Sequence, residues 1–420
     1  MKKALVVGSG GREHALAWKL ASEGWSVWVA PGNAGMEAVA TRVPVKAADI
    51  RGVVEQSKSI GTDLVVVGPE APLALGMADE LVAHGSLVFG PTAAAARIEG
   101  SKVFAKKTMK KFGVPTARSV EFDSAAEALD FLQLPPFGYP VVVKADGLAA
   151  GKGVVVAEKR DEAARAVRSI MTDRKFGDAG DRILIEECLR GTEMSFFALA
   201  YGHGAIALGT AQDYKRLLDG DHGPNTGGMG SVSPSPLATS ATEDRIMDSV
   251  VLPVVRGLAA EGYEYRGLLY AGLMITDRGP RVLEFNCRFG DPETQPLMLT
   301  IETGLGEAMA ACARGEAPNV PARNALTSVC VVLASRGYPE EPEVGKQIHG
   351  LEEATKKGAV VFHAATESRE GPLVTTGGRV LSVCASGRSA ADARSKAYEA
   401  AAAISFEGIH YRRDVAAFSA

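Results

Sequence analysis

Between residues 3 and 89 the chain alternates short β-branched apolar runs with stretches of helical character, and that alternation leaves few folds open. "KALVV" (3–7) reads as a buried strand, "GSGG" as a tight loop and 12–23 as a helix. "WSVWVA" is a second strand, closed by "PGNAG". "DLVVVGPE" (63–70) is a third, followed by a helix around 74–84, and "SLVFG" is a fourth. Strands separated by helices imply a parallel sheet covered on both faces. This α/β unit, residues 1–120, ends after a helix that starts around Ser101. The full 420 residues are too many for one compact core, so two to four packed units are expected.

Residues 121–190 change character. A helix (124–133) leads through "LPPFGYP" into a strand (141–145), a glycine loop, a strand (153–157), a helix (161–172) and the strand "RILIEECL". This predicts a small α+β unit. In 191–327 the strands are longer ("SFFALA", "LLYAGLMI", "PRVLEFN") and polar, glycine-rich loops separate them. The last unit, 328–420, carries the strands "SVCVVLAS", "AVVFHAA" and "GRVLSVCASG" and an alanine-rich helix at 389–403.

The bulk numbers exclude several classes. A net charge of -4 offers no electrostatic case for nucleic-acid binding. The five cysteines, at 188, 287, 312, 330 and 384, lack C-x-x-C spacing. That disfavours zinc or a disulfide framework and suits a reducing compartment. "MKKALVVGSGG" breaks at glycines too soon for a signal peptide or a membrane span. A cytoplasmic protein, monomeric or weakly dimeric, is expected.

The stretch "VVVKADGLAAGKGVVVA" (141–157) sets Lys144 at the end of three valines and then a glycine-rich loop. It is not a P-loop. The glycine spacing is one residue short, Gly153 stands where a metal-binding hydroxyl belongs, and a strand follows instead of a helix. A glycine-rich hairpin can still bring backbone N–H groups to phosphate oxygens. It can equally be a hairpin without a ligand, with Lys152 solvated. Lys144 needs either an anionic partner or a wet face. Lys102, at the start of a helix, gains nothing from the helix dipole, so a phosphate or an ordinary surface position would explain it.

The long motifs "VVVKADGLAAGKGV", "ILIEECLRGTEMS", "DYKR…GPNTGGMG" and "VLEFNCRFGDPETQ" resemble the ATP-grasp ligases in order and spacing. "GSGGREHALAWKL", "APGNAG" and "GIHYRRDV" resemble the glycinamide ribonucleotide synthetase branch of that family, so the match spans nearly the whole chain. The resemblance implies an ATP-grasp architecture: an N-terminal doubly wound domain, a flap, a central antiparallel-sheet domain bearing the metal, and a small C-terminal domain. It implies ATP and Mg²⁺ (or Mn²⁺) as cofactors, and glycine and 5-phosphoribosylamine as substrates, joined through a glycyl phosphate.

The resemblance also distributes roles. Lys102, Lys144, Gly151, Lys152 and Gly153 would serve the phosphates. The backbone of Glu186, Glu187 and Leu189 would receive the adenine edge, and Glu193 would take the ribose hydroxyls, as an acceptor-only group suits a diol. Glu284 and Asn286 share a strand face, with Phe285 turned to the core, and could share one Mg²⁺. Many relatives supply a further acid where Gly272 stands here. Arg288 would stabilise the transferred phosphoryl group. Cys287 reads as a packing residue and His14 as structural.

For the substrates, Asp213 suits an ammonium and Lys215 a phosphate. Asn225, Thr226, Gly227 and Gly228 could cradle the ribose phosphate, and Asp291 and Glu293 could meet an amine. Gly10 and Gly11 lie at the C-terminal end of the first strand, where open α/β sheets bind ligands. The third fingerprint glycine is missing (position 13 is Glu), which disfavours a nicotinamide-dependent oxidoreductase. A carboxylase using bicarbonate and a non-catalytic nucleotide sensor are the other rivals. "GPNTGGMG" joined to "CRFGDPETQ" counts against the first, and the intact Lys144, Glu284 and Asn286 set counts against the second.

Overall fold

The computed structural model describes residues 1–148, 153–368 and 371–418. Its first unit is a five-stranded sheet ordered Thr41–Arg42, Ser26–Pro31, Lys3–Gly8, Leu64–Val67, Val88–Phe89. Every pairing in it is parallel. Strands two and three lie on one side of the first strand and four and five on the other. The chain therefore reverses its order at the gap between Gly8 and Gly68, the place where such sheets bind ligands. The sequence reading missed the helix Ile50–Ile60, the edge strand Thr41–Arg42 and the helix Ala93–Gly100.

The flap is a four-stranded antiparallel sheet, Ser119–Phe122, Ile183–Glu187, Val141–Ala145, Val154–Ala157. Its apolar face, with Val141, Val143, Ile183 and Ile185, forms a core of its own under the helices Ala125–Phe131 and Arg160–Val167.

The rest is built on one eight-stranded sheet. It runs Gly279–Asn286, Tyr265–Thr276, Thr192–Gly202, Ala205–Asp213, Gly230–Ser233, Thr327–Ala334, Arg379–Gly387, Val360–His363, antiparallel throughout. The sheet passes without a break across residue 328, because Gly230–Ser233 pairs directly with Thr327–Ala334. Its core merges with that of the first unit: Leu5, Val7 and Val65 pack with Phe196, Leu269 and Phe285. The short helix Thr294–Thr300 is almost wholly buried, against the helix Gly11–Ser22 and the strands Thr327–Ala334 and Arg379–Gly387. Among the described residues no helix is long and apolar enough to cross a membrane.

Candidate active site

The strand Val141–Ala145 sends Val141 and Val143 into the flap core. Alternation turns Val142 and Lys144 to the face that meets the large sheet. Lys144 is only 7% exposed there. Its Nζ lies 3.0 Å from Glu186 Oε2 and donates to the Leu283 carbonyl at 3.1 Å. The anionic partner that its burial demands is thus supplied within the chain. The sequence reading had offered a wet face or an anionic ligand, and did not foresee a carboxylate of the chain itself. Glu186, on the neighbouring strand and in register with Val142, shares that face.

A third group completes this cluster. Lys106, from the helix Lys102–Lys111, approaches the same Glu186 oxygen to 3.3 Å. It also donates to Thr116 Oγ1 at 2.8 Å and to the Ala117 carbonyl at 3.0 Å. Burial and the charge of Lys144 outweigh Glu186 and bring the Lys106 ammonium down to about 8. Glu186 Oε1 is buried without a partner among the described residues. The side chain of Glu187 turns the other way, accepting from Arg118 N at 2.9 Å and Nε at 2.7 Å. Leu189 follows the end of the strand.

Lys102 faces the base of the hairpin and donates to the Gly147 carbonyl at 3.0 Å. Ser101 caps its helix, accepting from Phe104 N at 3.1 Å, and donates to Asp146 Oδ1 at 2.9 Å. The helix start and the hairpin base are therefore tied together. Burial lowers the Lys102 ammonium against the opposing charge of Glu284. Gly153 is buried just ahead of the returning strand, and Gly151 and Lys152 lie outside the described residues.

Glu284 and Asn286 stand on one side of the strand Gly279–Asn286, and Phe285 between them is 2% exposed. Burial opposes the Glu284 charge, yet Lys215, Lys144, Lys102 and Arg288 outweigh it and hold the carboxyl below its ordinary range. An ionised carboxylate and an amide oxygen are hard donors that suit Mg²⁺, which takes few protein ligands and completes its shell with phosphate and water. Among the described residues no group of three or more His, Cys, Asp or Glu could hold a metal alone. Arg288 falls just past the end of the strand. Its Nε is 3.1 Å from Glu70 and its Nη2 is 3.1 Å from Glu99, two acids the sequence reading did not single out. Burial, then Glu99, raises the Cys287 thiol well above its usual range, as befits a packing residue.

On the opposite side of the large sheet's edge, the front loop carries Gly10 and Gly11 into the first helix. Gly10 N donates to Glu13 Oε2 at 2.7 Å, and Arg12 Nε donates to Glu13 Oε1 at 2.5 Å. A Cβ at Gly68 would overlap the Glu13 carboxylate. Glu13 therefore fills the crevice between the two middle strands and takes the anion position at the helix start. That is the physical reason this loop does not suit a dinucleotide pyrophosphate.

Beside it lie the remaining acids. Asp291 Oδ2 is 3.1 Å from Arg379 Nη2, and Oδ1 accepts from Gln295 at 2.7 Å. Glu293, 3% exposed, accepts from Tyr270 Oη at 2.7 Å and Ser195 Oγ at 3.2 Å. Burial and then the charge of Glu293 raise Asp213 well above the usual carboxylate range. Gly228 abuts Asp213: a Cβ there would come within 2.8 Å of Oδ1. The structure thus gathers Gly10, Asp213, Gly228, Asp291 and Glu293. Lys215 and Glu193, expected to serve phosphate and ribose separately, pair with each other at 2.8 Å. Asn225 is exposed at the end of a two-stranded ribbon, and Thr226 is fastened to the Lys215 carbonyl at 2.8 Å. Arg379 was read only as part of a strand. It donates to the Gly227 carbonyl at 2.6 Å and the Asp291 carbonyl at 2.7 Å, locking the glycine loop to the acids.

Three family models cover the chain: the N domain of phosphoribosylglycinamide synthetase over residues 2–99, its ATP-grasp (A) domain over 100–294 and its C domain over 328–418. The chain belongs to the phosphoribosylglycinamide synthetase family. Other members are similar along their whole length. A protein of Neisseria meningitidis named phosphoribosylamine–glycine ligase is 47% identical over 419 residues, 99% of this chain and 98% of that protein. One of the same name from Caulobacter vibrioides is 49% identical over 416 residues, 98% of this chain and 97% of that protein. The crystal structure of phosphoribosylamine–glycine ligase from Thermotoga maritima superposes with a TM-score of 0.87 at 37% identity, covering 98% of this chain and 99% of that one. The biotin carboxylase domain of the Hydrogenobacter thermophilus 2-oxoglutarate carboxylase shares the fold, with a TM-score of 0.73 at 18% identity over 97% of this chain and 91% of that one. The phosphoribosylglycinamide synthetase fold therefore holds over nearly the whole chain.

Proposed function

We propose that this chain joins the carboxylate of glycine to the amine of 5-phosphoribosylamine, consuming ATP and giving glycinamide ribonucleotide, ADP and phosphate. The observation that carries this reading is that Lys144 of the flap donates to the Leu283 carbonyl, on the strand of the large sheet that bears Glu284 and Asn286, with Lys102 at the base of the same hairpin. A carboxylate is a poor acyl donor, because its leaving group would be oxide. Transfer of the γ-phosphoryl group to glycine makes a glycyl phosphate. The amine then attacks its carbonyl carbon, the C–N bond forms and phosphate leaves. Both steps bring anions together, so the protein's task is positioning and charge neutralisation.

Lys102 and Lys144 neutralise the triphosphate. Glu284 and Asn286 would hold Mg²⁺ or Mn²⁺, which would screen the phosphate oxygens. Arg288 supplies charge near the transferred group when Glu70 and Glu99 share it. Among the described residues the buried acids Asp213 and Glu293 form no ion pair, the charges of Lys215 and Arg379 do not offset their burial and mutual repulsion at Asp213, and an ammonium would relieve it. Asp291 and the Gly227–Gly228 loop, held by Arg379, border the same space. Gly10 and Gly11, with Asn225, Thr226 and Lys215, are assigned to the phosphoribosylamine side; because Glu13 holds the Gly10 N–H, the phosphate itself falls to Lys215, Asn225 and Thr226.

The division into units 1–120, 121–190, 191–327 and 328–420 follows the same reading. The flap's separate core supports it, and the last two units share one sheet. Five free cysteines accord with a reducing, cytoplasmic setting. The test is phosphate release from ATP. Release that requires glycine and is completed by phosphoribosylamine is expected; release driven by bicarbonate and indifferent to glycine would refute the proposal.

A further inference from the structure

We propose that Lys106 is a positioning residue for nucleotide binding: it stays on Glu186 when Lys144 leaves that carboxylate for a phosphate. The inference rests on the reading above that Lys144 serves the nucleotide. To reach a phosphate, Lys144 must first break its 3.0 Å pair with Glu186. Glu186 is 2% exposed, so without a second cation that step would strand a buried carboxylate, which is costly. Lys106 is already 3.3 Å from the same oxygen.

The donor inventories of the two lysines differ in the way this requires. An ammonium has three N–H donors. Lys106 spends them on Glu186 Oε2, Thr116 Oγ1 and the Ala117 carbonyl. Thr116 in turn donates to the Val282 carbonyl at 2.7 Å, which ties this anchor to the large sheet. Lys106 is therefore fully committed. Among the described residues Lys144 has two partners, Glu186 and the Leu283 carbonyl, which leaves one N–H for a ligand. The charged groups that face Lys106 are Glu186, Lys144 and Glu187. Burial places its titration at about 8, so its charge can be removed within a workable pH range.

The experiment measures KM for ATP on the full chain as a function of pH, for the parent, K106M, K106R, K106M/E186Q and K144M. K106M should raise KM for ATP by roughly tenfold or more. K106R, which keeps the charge, should recover most of that loss. Adding E186Q to K106M should lower KM again, because no carboxylate remains to be compensated. The parent's KM should climb above about pH 8 and that of K106R should not. A role confined to folding would leave KM indifferent to both E186Q and pH. Normal ATP binding in K106M, with weakened binding in K144M, overturns the inference alone. Normal ATP binding in K144M overturns the reading beneath it. Should K106M fail to fold, a parent KM that stays flat from pH 7 to pH 9 still overturns the inference.

Discussion

Gly272 lies directly opposite Glu284 on adjacent antiparallel strands, and a Cβ at Gly272 would stand 3.3 Å from Glu284 Cγ. The position that could have carried a further acid is instead kept bare, which leaves Glu284 and Asn286 as the donors proposed for the metal. The Glu284→Ala variant should therefore lose activity by roughly 100-fold or more, with its magnesium dependence weakened in parallel. Gly272→Ala, which crowds the Glu284 stem, should need several times more magnesium while keeping most of the maximal rate. A magnesium titration of both variants checks this. An unchanged titration in Glu284→Ala would remove it from the ligand set.

Lys144 has a structural and a chemical duty, and the two can be separated. Lys144→Ala should abolish ATP turnover but, because Lys106 still holds Glu186, cost only about 1 kcal/mol of stability. Adding Lys106→Met should strip that carboxylate of both counter-ions and raise the cost to about 3 kcal/mol or more. Thermal melts and phosphate release on the same samples decide it. Parent-like turnover in Lys144→Ala would refute the phosphate assignment.

Gly68 is constrained by Glu13. Gly68→Ala would push the Glu13 carboxylate off the Gly10 N–H, costing about 1–3 kcal/mol and disordering the front loop. If that loop borders the ribose phosphate, KM for phosphoribosylamine should rise well beyond KM for ATP. Equal effects on both would place the loop outside the substrate site.

His14 is buried and its Nδ1 accepts from His363 N at 2.8 Å. Burial, then the neighbouring His363, lowers it from 6.5 to about 3, and burial lowers His363 to about 4. Below pH 6.5 the unfolded chain takes up protons that the folded chain refuses. These histidines therefore leave stability intact above about pH 6.5 and erode it as the pH falls toward 3, by roughly 1.4 kcal/mol per pH unit for each group. Urea midpoints between pH 7 and pH 4 measure the slope. His14→Gln, which can still accept that N–H, should flatten it.

Much of the site was legible because its chemistry is written in short contiguous motifs. "VLEFN" reads as alternating faces, and the structure turns Phe285 inward and leaves Glu284 and Asn286 on the other side. The glycine hairpin follows from two strands with no room between them for a helix, and its strands pair as antiparallel neighbours. The partners of these residues were not legible. Glu186 was read for its backbone at the adenine edge, and nothing in the sequence showed that its side chain is committed to Lys144 and Lys106. Arg288 appeared free to meet a phosphoryl group, and Glu70 and Glu99 hold it from the first unit. Arg379 lies 88 positions from Asp291 in the chain and carried no motif of its own.

Local order along the chain determined which residues form strands, which turns need glycine and which side chains share a face, because those follow from backbone sterics and a two-residue period. It also carried the family, through long uninterrupted runs. Only the tertiary structure decided which charges meet: how Lys106 and Lys144 share the Glu186 carboxylate, and why Glu13 occupies the front crevice. Ion pairing depends on distances of a few ångströms between residues far apart in the chain, and packing alone sets those distances.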